Sequence, residues 1–176
     1  TMKGLCYSAL SYAPLFIDKS VMVIGDAELA LRSAGELATV AKKVTMICSN
    51  NDLLYTVLGL KLQFAPNVKI LKDYQIMEVQ GDTYARKLIL KDKDNRITEC
   101  SADGIFVEKA LMPNMSMVKA MVTVDELGRI VVDSACRTNI PGLFAAGDVT
   151  NSYAEQVLVA VGEGAKAALS AYEYLL

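Results

Sequence analysis

The chain has 176 residues, 53% hydrophobic and 22% charged, with a formal net charge of −2. This composition excludes a disordered chain and leaves one large domain or two small ones, long enough to bury a core. The charge balance excludes nucleic acid and an anionic membrane surface as expected partners, and no apolar run reaches the length of a membrane span.

The chain opens abruptly, with Thr1-Met-Lys-Gly-Leu-Cys-Tyr-Ser-Ala-Leu-Ser-Tyr-Ala-Pro-Leu-Phe16. Lys19 to Ile24 then predicts a strand, because Val21, Met22, Val23 and Ile24 form the continuous apolar run of a strand buried on both faces. Gly25-Asp-Ala-Glu-Leu-Ala30 turns the chain into a helix reaching about Ala41. Leu29, Ala30, Leu31, Ala34, Leu37 and Ala38 give that helix its apolar face. Lys43 to Cys48 is the next strand, which completes a βαβ unit of the dinucleotide-binding kind. After Cys48-Ser49-Asn50, Asp52 reads as the N-cap of a helix from Leu53 to Leu60, with a weak ribose contact left open for its carboxylate.

From Asn67 the pattern changes to short strands, Val68 to Leu71, Tyr74 to Val79, Ala85 to Leu90 and Ile97 to Cys100. Gly81-Asp82 and Asp92-Lys-Asp-Asn95 are their turns. The alternation in Lys87-Leu-Ile-Leu-Lys91 indicates one solvated face. Asp103-Gly-Ile-Phe-Val-Glu108 returns to the parallel sheet, and Pro113 in Leu111-Met-Pro-Asn-Met115 marks a domain boundary.

Beyond that boundary the most informative stretch is Ile140-Pro-Gly-Leu-Phe-Ala-Ala-Gly-Asp-Val-Thr150. Leu143 to Ala146, started by a Pro-Gly turn, predicts a buried strand that stops at Gly147 and Asp148. Thr150 or Asn151 then caps a helix running to about Tyr174. Strand, Gly-Asp and helix together place a carboxylate and free backbone N–H groups at the carboxyl end of a sheet. In open α/β sheets that edge receives ligands, and a helix N-terminus there favours anionic groups.

Cys6, Cys48, Cys100 and Cys136 are scattered, with neither a Cys-x-x-Cys nor a zinc pattern, and the chain has no histidine. Each reads as a reduced, half-buried small residue. Without histidine the usual general base and the Ser-His and Cys-His nucleophiles are gone, so any chemistry is carried by a cofactor and no metal site is expected. The N-terminus lacks the basic-then-apolar pattern of a signal peptide, and a cytoplasmic location is expected.

Val124-Asp-Glu-Leu-Gly-Arg-Ile-Val-Val-Asp133, Arg137 to Val149, Gln156 and the Gly162-Glu-Gly-Ala-Lys helix closely resemble the carboxyl-terminal part of the low-molecular-weight thioredoxin reductases, class II pyridine nucleotide-disulfide oxidoreductases. The fold class this implies is α/β: a Rossmann-like dinucleotide-binding domain (ββα, three layers) over residues 1–111, followed over residues 112–176 by the C-terminal segment of a second, FAD-type Rossmann domain. The resemblance implies FAD as cofactor. Gly147 and Asp148 would lie at its ribityl and pyrophosphate region, and Gln156 with the backbone of Val157 at the flavin ring.

The same resemblance marks two departures. With Gly4 and Tyr7 in register, Ser8 and Ser11 stand where the family carries its redox cysteines and Tyr12 where it carries an acid. No catalytic residue is therefore assigned, since hydroxyls cannot form a disulfide. In the nucleotide loop, Gly25, Asp26, Ala27 and Glu28 stand where the family has Gly-Gly-Gly-Asp. Gly25 and Ala30 keep the tight turn and the close helix contact. Ala27 replaces the glycine that admits the pyrophosphate, and Asp26 adds a carboxylate beside it. Cys48-Ser49-Asn50 replaces the His-Arg-Arg run that holds the 2′-phosphate of NADPH, so NADPH is not expected to bind.

The amino-terminal half of the FAD domain has no counterpart in these residues, and the last helix is apolar nearly all round. A fragment of a longer flavoprotein, or a small protein that pairs with a separate flavin-binding chain, would each explain this. The chain alone would be inactive. One expected function is a thioredoxin-reductase-like flavoprotein oxidoreductase taking electrons from reduced ferredoxin or a second flavin. Its partners would be a thioredoxin-like or ferredoxin-like redox protein and a second copy in a homodimer. The other is a non-enzymatic Rossmann-like scaffold or dimerisation module derived from a reductase.

Overall fold

A computed structural model of the chain describes residues 3–49, 51–109 and 114–176. Two compact units make it up, Thr1–Ala110 and Leu111–Leu176. In the first, five parallel strands, β1 (Leu5–Cys6), β2 (Ser20–Ile24), β3 (Lys43–Cys48), β4 (Val68–Lys72) and β8 (Gly104–Val107), form a sheet in the order β1-β8-β2-β3-β4. Between β4 and β8 the chain makes an antiparallel sheet of β5 (Gln75–Gly81), β6 (Ala85–Lys91) and β7 (Ile97–Ser101), in the order β5-β6-β7.

Both faces of the parallel sheet are covered, and this is why β2 is apolar without alternation. Val21, Val23, Val44, Met46 and Phe106 pack on one face against Ala30, Leu31, Ala34 and Leu37 of the helix α2 (Glu28–Ala38). Met22, Ile24, Ile47 and Ile105 pack on the other against Leu88 and Leu90 of β6. The result is three layers, helix, parallel sheet and antiparallel sheet. Full burial of Leu31, Leu37, Leu88 and Leu90 stabilises this unit by about 1.5–3 kcal/mol per side chain.

One local expectation is corrected here. The stretch after Asn51 is not one helix capped by Asp52: a 3₁₀ turn, Asp52–Tyr55, precedes α3 (Val57–Gln63). Thr56 is the cap, its backbone extended and its Oγ1 accepting the Gly59 N–H at 3.1 Å. The break lets Leu54 and Leu62 both reach the core. Near the N-terminus the chain forms a short helix, α1 (Ala9–Tyr12), capped by Ser8 and followed by a 3₁₀ turn, Ala13–Phe16.

The second unit has a small core of Met115, Val122 and Ile130 with Val118, Ile140 and Leu143 against it. The strand expected over Leu143–Ala146 does not form. Its backbone instead meets the turn at Asp133–Thr138 through one bridge, Arg137 with Phe144, and single bonds such as Ala145 N–H to the Cys136 carbonyl at 3.1 Å. A strand needs a ladder, and a turn offers too few aligned groups to make one. The last helix, α4 (Val157–Leu175), starts later than either Thr150 or Asn151 would set it. Thr150 Oγ1 instead donates to the Gly147 carbonyl at 2.7 Å, and Asn151 Oδ1 accepts the Val132 N–H at 3.1 Å. Along α4, Val157, Leu158, Val161, Leu169 and Leu175 are exposed. No helix among the described residues is long and apolar enough to cross a membrane.

Candidate functional site

The turn from β2 into α2 lies at the carboxyl edge of the parallel sheet. Gly25 is tightly enclosed there: a Cβ on it would collide with the Glu108 carbonyl oxygen and lie 2.6 Å from the Ala30 Cβ. Ala30 is fully buried, so helix and strand are in close contact at this point. Asp26 turns its carboxylate to the end of β3, where Oδ1 accepts the Ser49 N–H. Ala27 occupies the N-cap of α2 and offers no side-chain hydrogen bond, while Glu28 pairs with Arg32 at 2.7 Å on the exposed surface. Asn50 lies outside the described residues.

Asp26, Ser49, Tyr74 and Lys109 border a crevice of about 230 Å³ over Ile24 and Ile47. Its position is that of a ligand site in an open α/β sheet, yet a carboxylate already holds an N–H at its rim. The Asp26 carboxylate opposes an anion there, with the Lys109 ammonium as the cation on the same rim.

At the start of α1, Ser8 accepts the Ser11 N–H at 3.3 Å, and the two hydroxyls are 3.2 Å apart. Beneath them Glu108, 1% exposed, accepts the Ala9 N–H at 3.1 Å. Burial pushes the Glu108 carboxyl above the usual range, a push partly countered by the Ser33 hydroxyl and the Ala9 N–H. Burial, and then the Glu108 charge, raises the Cys6 thiol, and burial also raises that of Cys136. Neither is held as a thiolate, and all four cysteines are free. Sequence reasoning gave Glu108 no part, although an acid ending the apolar run Gly104 to Val107 is itself a signal.

In the second unit a 3₁₀ turn, Gly147–Val149, rests against the first turn of α4. Gly147 has φ of +77°, and a Cβ on it would lie 3.2 Å from the Ala160 Cβ. A side chain is thus excluded where backbone must approach closely. Asp148 beside it is exposed, and Gln156 and Val157 are exposed at the start of α4, with the Gln156 carbonyl accepting the Ala160 N–H at 2.9 Å. A glycine cradle with an open carboxylate at its rim fits a group rich in hydroxyls, such as the polyol of a nucleotide cofactor.

Glu163 of α4, which sequence reasoning left without a role, reaches this turn. Its Oε2 accepts the Gly147 N–H at 2.8 Å and its Oε1 the Ser152 hydroxyl at 2.6 Å. The Ser152 hydroxyl, with the Gly147 N–H and the Lys166 charge, holds its carboxyl below the usual range. The signal was an acid flanked by glycines, Gly162-Glu-Gly164, in the mostly apolar first half of the helix. Among the described residues no cluster of His, Cys, Asp or Glu is suited to a metal ion.

The chain is similar to known proteins along nearly its whole length. The profile of the pyridine nucleotide-disulphide oxidoreductases matches residues 5–164. A Pseudomonas aeruginosa relative, one of the alkyl hydroperoxide reductase subunits, is 38% identical over 177 residues, 99% of this chain and 34% of the relative. Thioredoxin reductase from Streptococcus pyogenes superposes with a TM-score of 0.83 at 29% identity, over 98% of this chain and 57% of that one. A ferredoxin-flavin thioredoxin reductase from Clostridium acetobutylicum superposes with a TM-score of 0.55 at 35% identity, over 99% of this chain and 56% of that one. The chain therefore spans about a third of the length of the curated relative and little more than half of either solved structure.

Proposed function

The chain belongs to the pyridine nucleotide-disulphide oxidoreductases, a family of reductase-type flavoproteins, and from this premise we propose that it forms part of a thioredoxin-reductase-like oxidoreductase whose electrons do not come from NADPH. Residues 1–111 act as a pyridine-nucleotide-type domain that has lost its ligand, and residues 112–176 as the closing segment of an FAD domain. FAD supplies the electron storage. Asp148 accepts hydrogen bonds from its polyol, Gly147 admits it to the backbone, and Gln156 and the Val157 backbone meet the flavin ring.

Asp26 carries the donor reading. Its carboxylate holds the Ser49 N–H at the rim where a nucleotide phosphate would approach, and Glu28 adds a second acid in the first turn of α2. Asp26 opposes an anion where the helix N-terminus would otherwise favour one, while the charge of Glu28 is offset by Arg32. Reduced ferredoxin or a second flavin is then the donor, and a thioredoxin-like or ferredoxin-like protein the partner. Similarity to the ferredoxin-flavin thioredoxin reductase of Clostridium acetobutylicum supports a ferredoxin donor. Ser8 and Ser11 place any dithiol step outside α1. The exposed apolar side chains of α4 support a protein partner surface, the rest of a flavin domain or a second copy.

The alternative is a scaffold without enzymatic activity, favoured by the loss of the thiol pair at Ser8 and Ser11. The visible absorption spectrum of the native protein as purified separates the two. Stoichiometric flavin supports the oxidoreductase, whereas its absence, with none taken up on adding FAD, leaves the scaffold.

A further inference from the structure

We propose that Glu163 is the positioning residue of the flavin loop, an inference that rests on Gly147 and Asp148 receiving FAD. The three-residue turn Gly147–Val149 is tied to Ile130, whose N–H donates to the Val149 carbonyl at 2.9 Å, and its seat on α4 is left to other groups. Its internal bonds all converge on one acceptor, the Gly147 carbonyl, which takes the Thr150 N–H at 2.9 Å and the Thr150 hydroxyl at 2.7 Å. Those bonds close the turn but do not orient it on the helix. Glu163 does, because its two oxygens clamp points on either side of Asp148, the Gly147 N–H before it and the Ser152 hydroxyl after it. The turn cannot rotate about α4 without breaking a charge-assisted hydrogen bond.

Two consequences follow for a ligand. The Gly147 N–H is already satisfied, so the ligand need not find a partner for it, and Asp148 is carried on backbone held on either side, which lowers the ordering cost on binding. The carboxylate also brings negative charge behind the turn, which Lys166, three residues along α4, offsets. An aspartate is too short to reach both partners. A glutamine of the same length keeps both contacts, its oxygen accepting from Gly147 and its amide donating to a rotated Ser152 hydroxyl.

The test is the dissociation constant of FAD for the deflavinated native protein, from flavin fluorescence quenching well below the unfolding temperature, in Glu163→Gln, Glu163→Ala and Ser152→Ala. Removing both tethers in Glu163→Ala weakens FAD binding about 10-fold or more, Ser152→Ala weakens it about 3- to 10-fold, and Glu163→Gln stays within about 3-fold of the parent. A merely structural role would lower the melting temperature without this rescue pattern. Equal FAD affinity in Glu163→Ala and the parent overturns the proposal, as does Glu163→Gln losing affinity as fully as Glu163→Ala. If Glu163→Ala does not fold, Glu163→Gln and Ser152→Ala decide: unchanged affinity in Ser152→Ala, or loss in a folded Glu163→Gln, overturns it. A parent that takes up no FAD overturns the flavin reading itself, and the proposal with it.

Discussion

Ser8 and Ser11 face each other across the first turn of α1, their hydroxyl oxygens 3.2 Å apart, with Ser8 also accepting the Ser11 N–H. The spacing is that of a dithiol at a helix start, filled by groups that cap the helix and cannot exchange electrons. Replacing both in Ser8→Cys/Ser11→Cys should give a pair that air oxidises to a disulfide. Thiol titration of the oxidised variant then reads two fewer thiols than after reduction, while the parent reads its four cysteines in both states. No loss of thiols would mean that the turn does not keep these side chains together.

Gly25 tests the close approach of strand and helix. Any side chain there meets the Glu108 carbonyl and the Ala30 Cβ, backbone and buried atoms that cannot swing aside. Gly25→Ala should destabilise the first unit by about 1–3 kcal/mol, as overpacking does, read as a lower urea midpoint with an unchanged slope. A variant as stable as the parent would show that β2 and α2 separate easily.

Acid and base act on the chain in opposite directions. The Glu163 carboxyl is lowered, first by the Ser152 hydroxyl, and those of Asp125 and Asp133 by the backbone N–H groups of Arg129 and Arg137. Folded values below the unfolded ones mean that their stabilisation is complete above the usual carboxylate range. It is lost as pH falls through the folded values. Glu108 is raised by burial, so its contribution has the reverse sign, present in acid and declining as pH rises through its raised folded value. In urea titrations at several pH values, Glu108→Gln should therefore exceed the parent at neutral pH and match it in acid. A neutral-pH midpoint below that of the parent would contradict the sign.

Sequence patterns revealed what depends on repetition. The unbroken run Val21 to Ile24 marked a strand covered on both faces, and Leu88 with Leu90 marked the buried side of the antiparallel sheet. Patterns failed where one side chain chooses among several partners. Asp52 and Thr56 are both good caps, and only the burial of Leu54 and Leu62 selects Thr56. Leu143 to Ala146 has the composition of a strand, but strand formation depends on a neighbour that composition does not supply. Thr150 and Asn151 look like caps and brace a turn instead. At the candidate site, Gly147 and Asp148 stood out as a motif. Glu163 lies sixteen positions further on, beyond any local spacing rule, and its part emerged only from the two hydrogen bonds it accepts.

The proposed electron donor turns on the carboxylate of Asp26, held at Ser49, and on the proposal that it closes the family's nucleotide site. Anaerobic titration of the flavin-loaded native protein with NADPH, followed by the visible absorbance of the flavin, puts this to the test. The flavin is expected to stay oxidised with NADPH and to bleach promptly when reduced ferredoxin is added. Rapid bleaching by NADPH would contradict this and return Asp26, Ala27 and Ser49 to a working nucleotide site.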